Sequence, residues 1–379
     1  MSAASTAVRS AADAEGGVDT GIRPDVDTNG APTTRPAVLA GKRLGFLLHL
    51  DTDEDPATSY AQAVELFQHA ESLGYDSGWV IQRHFRQGNE HVSSPLVLLA
   101  AIAQHTSRIR LGTGVLVLPL EDPLKVAEDA ATLDVLSGGR LELVIGSGPF
   151  PGAWEAFGQD LDDRAALWES SVQRLHEVLD GAALNSLGET LHPSGAGVRR
   201  RLWQATSSAP EVAVAQARAA GAAGDGLQLS RATDWNRNQS PEAQAALITA
   251  YRSALPEGIE PRVLVSRAVY PDVDRAQALS RLVDGAQRWQ SWLGALGRTE
   301  AASVSPEEYL VRDHSRFGDA ASIADGLALD AGVEAGTELL VSFPPASPSF
   351  DEHKRLLTAT AQDVAPLLGW HPHIDQEDS

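Results

Sequence analysis

Cysteine is absent from the 379-residue chain, which excludes disulfides, thiolate catalysis and Cys-based zinc or iron–sulfur sites. Positive charge is scarce: 30 Lys and Arg stand against 51 Asp and Glu, a formal net charge of −21 at pH 7 with a pI near 4.8. Nucleic-acid binders carry basic patches, so this balance argues against nucleic acid and against an anionic membrane surface. Its plain reading is solubility. No apolar run approaches the roughly 18 residues of a membrane span. The first 40 residues lack the apolar core of a signal peptide, so the expected location is cytoplasmic. Neither an H-E-x-x-H pattern nor paired His and carboxylate at helical spacing supports a metal, and His371 and His373 fall in a polar tail. G-x-S-x-G and Walker patterns are also missing.

Hydrophobic content of 43% and charged content of 21% suit a globular protein, and the length fits one large α/β domain or two ordinary ones. Residues 1–40, rich in Ala, Ser, Thr, Gly, Asp and Pro without periodicity, read as a disordered tail. A single domain is expected over residues 41–370, with order from Arg43, followed by a polar tail at 371–379.

The most informative stretch is 109–148. An apolar run, Ile109 to Leu118, leads to Pro123 and then to Val126, Ala127, Ala130, Leu133 and Leu136 at helical spacing. Ser137-Gly138-Gly139 stops the helix, and Leu141 to Ile145 is a second buried run. This is a βαβ unit, the building block of parallel sheets. Gly112, Gly114, Gly146 and Gly148 cluster near its strand ends, where such sheets hold ligands and where glycine lets a flat ligand approach the backbone.

Other strands are expected at Leu44–Leu50, Ser77–Gln82, Arg201–Thr206, Gly226–Ser230, Arg262–Tyr270 and Glu338–Phe343. Helices follow each; the first is capped by Thr58 or Ser59, and long connections span 181–200 and 294–317. Eight strands, each followed by a helix, favour a (β/α)8 TIM barrel with extra loop and helix insertions over a doubly wound sheet of five or six strands.

Candidate site residues lie at the strand ends. Ser207 and Ser208 precede the helix opened by Pro210, where free N–H groups and hydroxyls suit phosphate; an ordinary serine N-cap is the alternative. His84, just past the second strand, and His49, at the end of the first, can act as acid or base or bond a ring ligand; both are equally compatible with structural roles. Arg83 can bind an anion or stack on a ring, or form a surface ion pair. Thr113 and Gly114 mark a close approach or mere packing, and Ser147 and Gly148 can meet a ligand's edge. Trp154, Trp203, Trp235, Trp289 and Trp292 can line a cavity, although each alone is more commonly core.

The runs GYDSGWVIQRHF and SPLVLLAAIAQHTSRIRLGTGVLVLPLEDPLKVAEDAATLDVLSGGRLELVIGSG, followed by AWEAFG, resemble the bacterial luciferase-like flavin monooxygenases. Weaker matches continue through LWQATSSAPEVAVAQARAAGAAGDGLQLS, RVLVSRAVYP and TELLVSFPPASPSFDEHKRLLTATAQDVAPLLGW, so the likeness spans about residues 43–370. The resemblance implies a TIM barrel that uses reduced FMN and oxygen on a small organic substrate. It also implies a separate flavin reductase as source of the FMN, and a homodimer through the helices after strands two and three. A deazaflavin-dependent hydride-transfer enzyme and a non-catalytic flavin-binding or partner subunit are the rival readings. The family's non-proline cis peptide maps to Gly114–Val115 and its phosphate site to Ser207 and Ser208. Two departures stand out. The family's acidic-His-His segment is Gln82-Arg83-His84 here, so its main catalytic histidine falls on Arg83. A flavin-phosphate arginine of luciferase is Ser147, with Arg83 or Arg231 as the replacement charge.

Overall fold

The structure is a computed structural model that describes residues 35–50, 54–85, 92–148, 150–206, 210–235, 239–295 and 299–372. The chain divides into Met1–Arg35 and a large unit, Pro36–Ser379, which is the one described below. Packing begins at Val38 and Leu39, upstream of the expected start at Arg43: both are buried, and the Leu39 N–H donates to the Leu368 carbonyl at 2.9 Å.

Eight parallel strands close a barrel: β1 (Arg43–Leu48), β2 (Ser77–Val80), β3 (Arg110–Thr113), β5 (Leu141–Gly146), β6 (Leu202–Ala205), β7 (Gly226–Leu229), β8 (Val263–Pro271) and β10 (Glu338–Ser342). β10 closes it by pairing with β1 on one side (Arg43↔Glu338) and β8 on the other (Glu338↔Leu264). The expected third strand is interrupted. A cis peptide at Gly114–Val115 ends β3, and the chain resumes as β4 (Leu116–Val117), which pairs with β5 (Leu116↔Ile145). The sequence reading missed β9 (Arg316–Gly318), which pairs with the far end of β8.

Helices α1 (Pro56–Ser72), α2 (Pro95–Ala103), α3 (Pro123–Leu136), α8 (Pro241–Arg252) and α11 (Pro306–Arg312) all open on proline at the first turn, where its missing N–H costs nothing. The α1 cap is Asp55, not Thr58 or Ser59: its carboxylate accepts from Ala57 and Thr58 N–H at 2.9 and 3.1 Å. Pro56 fixes the first helical residue and so places the cap one position before itself. The connection at 181–200 ends in a short helix, α6 (Ala196–Arg200). The long connection after α9 (Arg275–Ala295) holds α10 (Thr299–Ser303), α11 and β9.

Alternation sorts each strand into an outer face under the helices and an inner face inside the barrel. Inward come Leu47, Trp79, Ile81, Val144, Trp203, Leu264 and Leu340. Trp79 and Trp203 meet edge to face at 6.1 Å. Each indole lies over a glycine of the next strand: a Cβ on Gly112 would stand 1.9 Å from Trp79, and one on Gly226 2.1 Å from Trp203. Beneath them is a charged layer. Trp203 Nε1 donates to Glu142 Oε2 at 2.7 Å, and Trp79 Nε1 to Ser77 Oγ at 2.7 Å, which in turn bonds Glu338. Arg43 bridges Glu142 and Glu338 at 3.7 and 3.9 Å, and Arg110 pairs with Glu142.

Burial pushes the Glu338 carboxyl up to about 7, against the hydrogen bond from Ser77 and the charge of Arg43. The folded chain thus binds this proton more tightly than the unfolded one. Its contribution is full below the ordinary carboxylate pKa and is lost as pH rises through 7. Between pH 5 and 8 the wild-type chain should lose roughly 3 kcal/mol relative to Glu338→Gln. Urea denaturation across that range checks the difference, and parallel pH profiles of the two proteins would refute it.

Candidate active site

The strands narrow their contents toward the carboxyl end. By the alternation that turns Val144, Trp203, Leu264 and Leu340 inward, the positions above them are Gly146, Ala205, Ser266 with Ala268, and Ser342. Large rings fill the bottom of the barrel, and small residues line much of the top, with Ile81 above Trp79 the bulky exception. One of the small residues, Ser266, is 1% exposed, and its Oγ finds no partner among the described residues. A buried hydroxyl left unpaired is uncommon and marks a place where another group is needed.

The cis peptide stands at this mouth. Val115 rests on Gly146, where a Cβ would come within 2.6 Å of Val115 Cγ2. The Val115 carbonyl accepts from Gln82 N–H at 3.4 Å. Thr113 is fully buried, and its hydroxyl both donates to the Val144 carbonyl at 2.8 Å and accepts from the Val144 N–H at 2.9 Å. It stitches β3 to β5 where the cis peptide interrupts the ladder, so it supports the mouth and does not face it. Gly148 has φ +66°, and a Cβ there would stand 2.4 Å from Val117 Cγ1, so only glycine suits the turn. Its carbonyl accepts from Trp154 Nε1 at 3.3 Å. Ser147 is half-buried beside it.

His84 is 7% exposed, and its Nε2 is buried without a partner among the described residues. Burial lowers its pKa, so the ring is neutral near pH 7. Its ring packs edge-on against Phe157 at 4.8 Å; Phe157 stacks on Phe85 at 5.9 Å. Arg83 reaches across to the loop after β5 and lies 4.8 Å over the Phe150 ring. Phe150 meets Trp292 at 6.2 Å, Trp292 meets Trp289 at 5.5 Å, and Arg231 lies over Trp289 at 5.3 Å. An aromatic arc thus joins Arg83 to Arg231 along the rim, through side chains from the loop after β5 and from α9. Trp289 and Trp292 belong to this arc. Trp154 and Trp203 do not line the mouth: both are 1% exposed, and Trp203 is a barrel-filling residue. Trp235 stacks on Tyr309 at 5.8 Å, under Arg312.

Arg231 is committed elsewhere. Its Nη1 pairs with Asp313 Oδ2 at 2.7 Å and donates to the Pro344 carbonyl at 3.4 Å. Asp313 is buried, and burial raises its pKa against the pull of Arg231. A sequence pattern does not announce this partner, 82 residues away. His49 is set apart from His84. It lines a cavity of about 310 Å³ between the β1–α1 and β10–α14 connections, α14 being Phe350–Ala359. His353 lies there too, and burial and the neighbouring His49 push it down to about 3. Ser207 and Ser208 lie outside the described residues. Among the described residues, no group of three or more His, Asp or Glu is placed to hold a metal, and no helix is long and apolar enough to cross a membrane.

Removing Arg231 leaves the Asp313 carboxylate buried without its cation. Arg231→Ala should cost about 3–5 kcal/mol at pH 8. Part of this should return at pH 5 as the carboxyl takes a proton, and Asp313→Asn should cost less because Arg231 can turn to water. Urea denaturation of the two variants at both pH values is the measurement; equal losses with no pH dependence would count against the pairing.

Comparison with known proteins agrees with the architecture. The 4-hydroxyprotoasukamycin monooxygenase of Streptomyces nodosus subsp. asukaensis is 38% identical over 128 residues, 34% of each chain. The oxygenase component of the flavin-dependent trigonelline monooxygenase of Acinetobacter baylyi is 29% identical over 174 residues, 45% of each chain. These matches span between a third and a half of the relatives' length. The solved FMN complex of the oxygenating constituent of 3,6-diketocamphane monooxygenase from Pseudomonas putida shares the fold. Its TM-score is 0.68 at 18% identity, over 86% of this chain and 98% of that one. The luciferase-like monooxygenase model matches residues 44–337, most of the barrel, and the chain belongs to that family.

Proposed function

We propose that this chain is an oxygenase that takes reduced FMN from a separate reductase and oxidises a small organic substrate. The observation that carries the reading is the buried Nε2 of His84 at the barrel mouth, without a partner among the described residues and next to the segment that holds the Gly114–Val115 cis peptide. Bound reduced FMN would supply the electrons for oxygen activation. The unpaired Ser266 hydroxyl and the small inward residues fit a flat ligand above the barrel. The backbone of Gly114 and Val115 would support the ring, Ser147 and Gly148 its edge, and Ser207 and Ser208 the phosphate. The naming of the Acinetobacter relative as an oxygenase component supports a reductase partner.

In this reading His84 acts as a neutral imidazole that gives or takes a hydrogen bond at Nε2. Arg83, over the Phe150 ring, brings a cation to the mouth in place of a histidine. The aromatic arc keeps water from the ring, and low water content protects a reactive site. The connections 181–200, with α6, and 294–317, with α10 and α11, are the candidate lids. Arg231 would meet the phosphate in competition with Asp313. The exposed Val97 on α2, and Val135 and Leu136 on α3, support a homodimer through these helices.

FMN titration followed by tryptophan fluorescence should show saturable binding, and oxygen uptake with reduced FMN should follow. Binding of deazaflavin alone, or FMN binding with no oxygen uptake, would reject the proposal. His84→Ala should lower turnover about 100-fold, within the range for a lost acid–base group. The wild-type rate should hold to below pH 6.5, because the neutral ring persists there. Arg83→Ala or Arg231→Ala should weaken FMN binding, and unchanged affinity in both would remove arginine from the phosphate. Val97→Asp with Leu136→Asp should turn a dimer into a monomer in sedimentation equilibrium; a wild-type monomer would remove the dimer.

A further inference from the structure

Gln82 is 2% exposed and its amide is saturated. Its Oε1 accepts from the Val117 N–H at 2.7 Å. Its Nε2 donates to the Ser93 carbonyl at 3.0 Å and to Glu121 Oε1 at 3.1 Å. The Val117 N–H can only donate and the Ser93 carbonyl can only accept, so the amide has one orientation. The three partners come from three segments that border the mouth: β4 after the cis peptide, the chain entering α2, and the turn before α3. Gln82 itself immediately precedes Arg83 and His84.

A carboxylate at position 82 could still accept from Val117. Its second oxygen would then face the Ser93 carbonyl and the Glu121 carboxylate, two acceptors at hydrogen-bond distance. Like charges that close cannot both persist in a half-buried place, and one would hold a proton. The surroundings offer Glu121 little relief: Asp129 on α3 adds negative charge, and Lys125 is paired with Asp129 and Glu128. Burial already pushes the Glu121 carboxyl upward.

We propose that Gln82 and Glu121 are a positioning pair, one amide and one carboxylate, that holds β4 and the Arg83-His84 segment in register for the flavin. The pair rests on the flavin reading for its purpose, but its geometry can be tested without flavin. The variants are Gln82→Glu, Gln82→Met and the double Gln82→Glu/Glu121→Gln. The readouts are FMN affinity and the melting midpoint of the flavin-free chain, each at pH 5.5 and 8.

Gln82→Glu should bind FMN at least 10-fold more weakly at pH 8 and recover most of that at pH 5.5. The sign follows from the raised carboxyl pKa, whose stabilising proton is lost as pH rises. The double variant should regain most of the affinity at pH 8, short of wild type because the Ser93 carbonyl still faces an oxygen. Gln82→Met should lose affinity at both pH values, with a shallower pH dependence than Gln82→Glu, since it removes the bonds, including the one to Glu121, without adding a second carboxylate. A Gln82→Glu defect that is absent, pH-independent, or not relieved by Glu121→Gln would overturn the pair. If the wild type takes up no FMN, the flavin reading falls. The melting midpoints then decide the pair alone: a pH-dependent drop in Gln82→Glu that the double variant reverses supports it, and its absence refutes it.

Discussion

Two indoles laid across glycines of the neighbouring strands are the constraint on which the rest depends. Trp79 on Gly112 and Trp203 on Gly226 occupy the lower barrel, and their N–H groups reach down to Ser77 and Glu142. A large ring that must bury its polar N–H needs an acceptor at one defined place. Here that need draws two acids, Glu142 and Glu338, into the barrel floor, and the acids in turn draw Arg43 and Arg110 to its rim. With the bottom filled, the inward positions above can be small. A flat ligand then has a floor that is packed and a mouth that is open, without the strands having to spread.

The mouth itself is held by side chains that do not touch it. Thr113 replaces a missing rung between β3 and β5, and Gln82 ties β4 to two loops. Both are nearly inaccessible, and both use every polar atom they own. At the mouth, His84 and Ser266 have atoms without a partner among the described residues, and they sit among these saturated supports. Saturated supports around unsatisfied groups are what a preorganised site requires, since ligand binding then has little to rearrange.

Much of this was legible in the sequence. The eight barrel strands follow from apolar runs separated by Pro- and Gly-marked turns, and the cis peptide at Gly114–Val115 followed from the resemblance of that stretch to its family. What was hidden has a common cause. The bonds from Gln82 to Val117, Glu121 and Ser93, and from Arg231 to Asp313, join residues far apart in the chain through single side chains with no periodic signature. β9 is only three residues long and pairs with one end of β8, too little for a pattern. Trp203 looked like a cavity residue because the sequence shows a strand but not which end of a barrel its middle occupies. His49 and His84 looked equivalent, each at a strand end. They differ because α14 brings His353 to His49, while His84 packs against Phe157.

The charge balance sharpens the problem the mouth has to solve. A chain at −21 repels a phosphate-bearing ligand at long range, although salt screens this beyond about 8 Å under physiological conditions. Attraction therefore has to be local. A guanidinium neutralised by a buried carboxylate offers little of it, which is the position of Arg231 against Asp313. Arg83 brings a second guanidinium to the mouth, over the Phe150 ring. Arg83 thereby sets its guanidinium against the loop after β5, while His84 of the same segment packs its imidazole on Phe157.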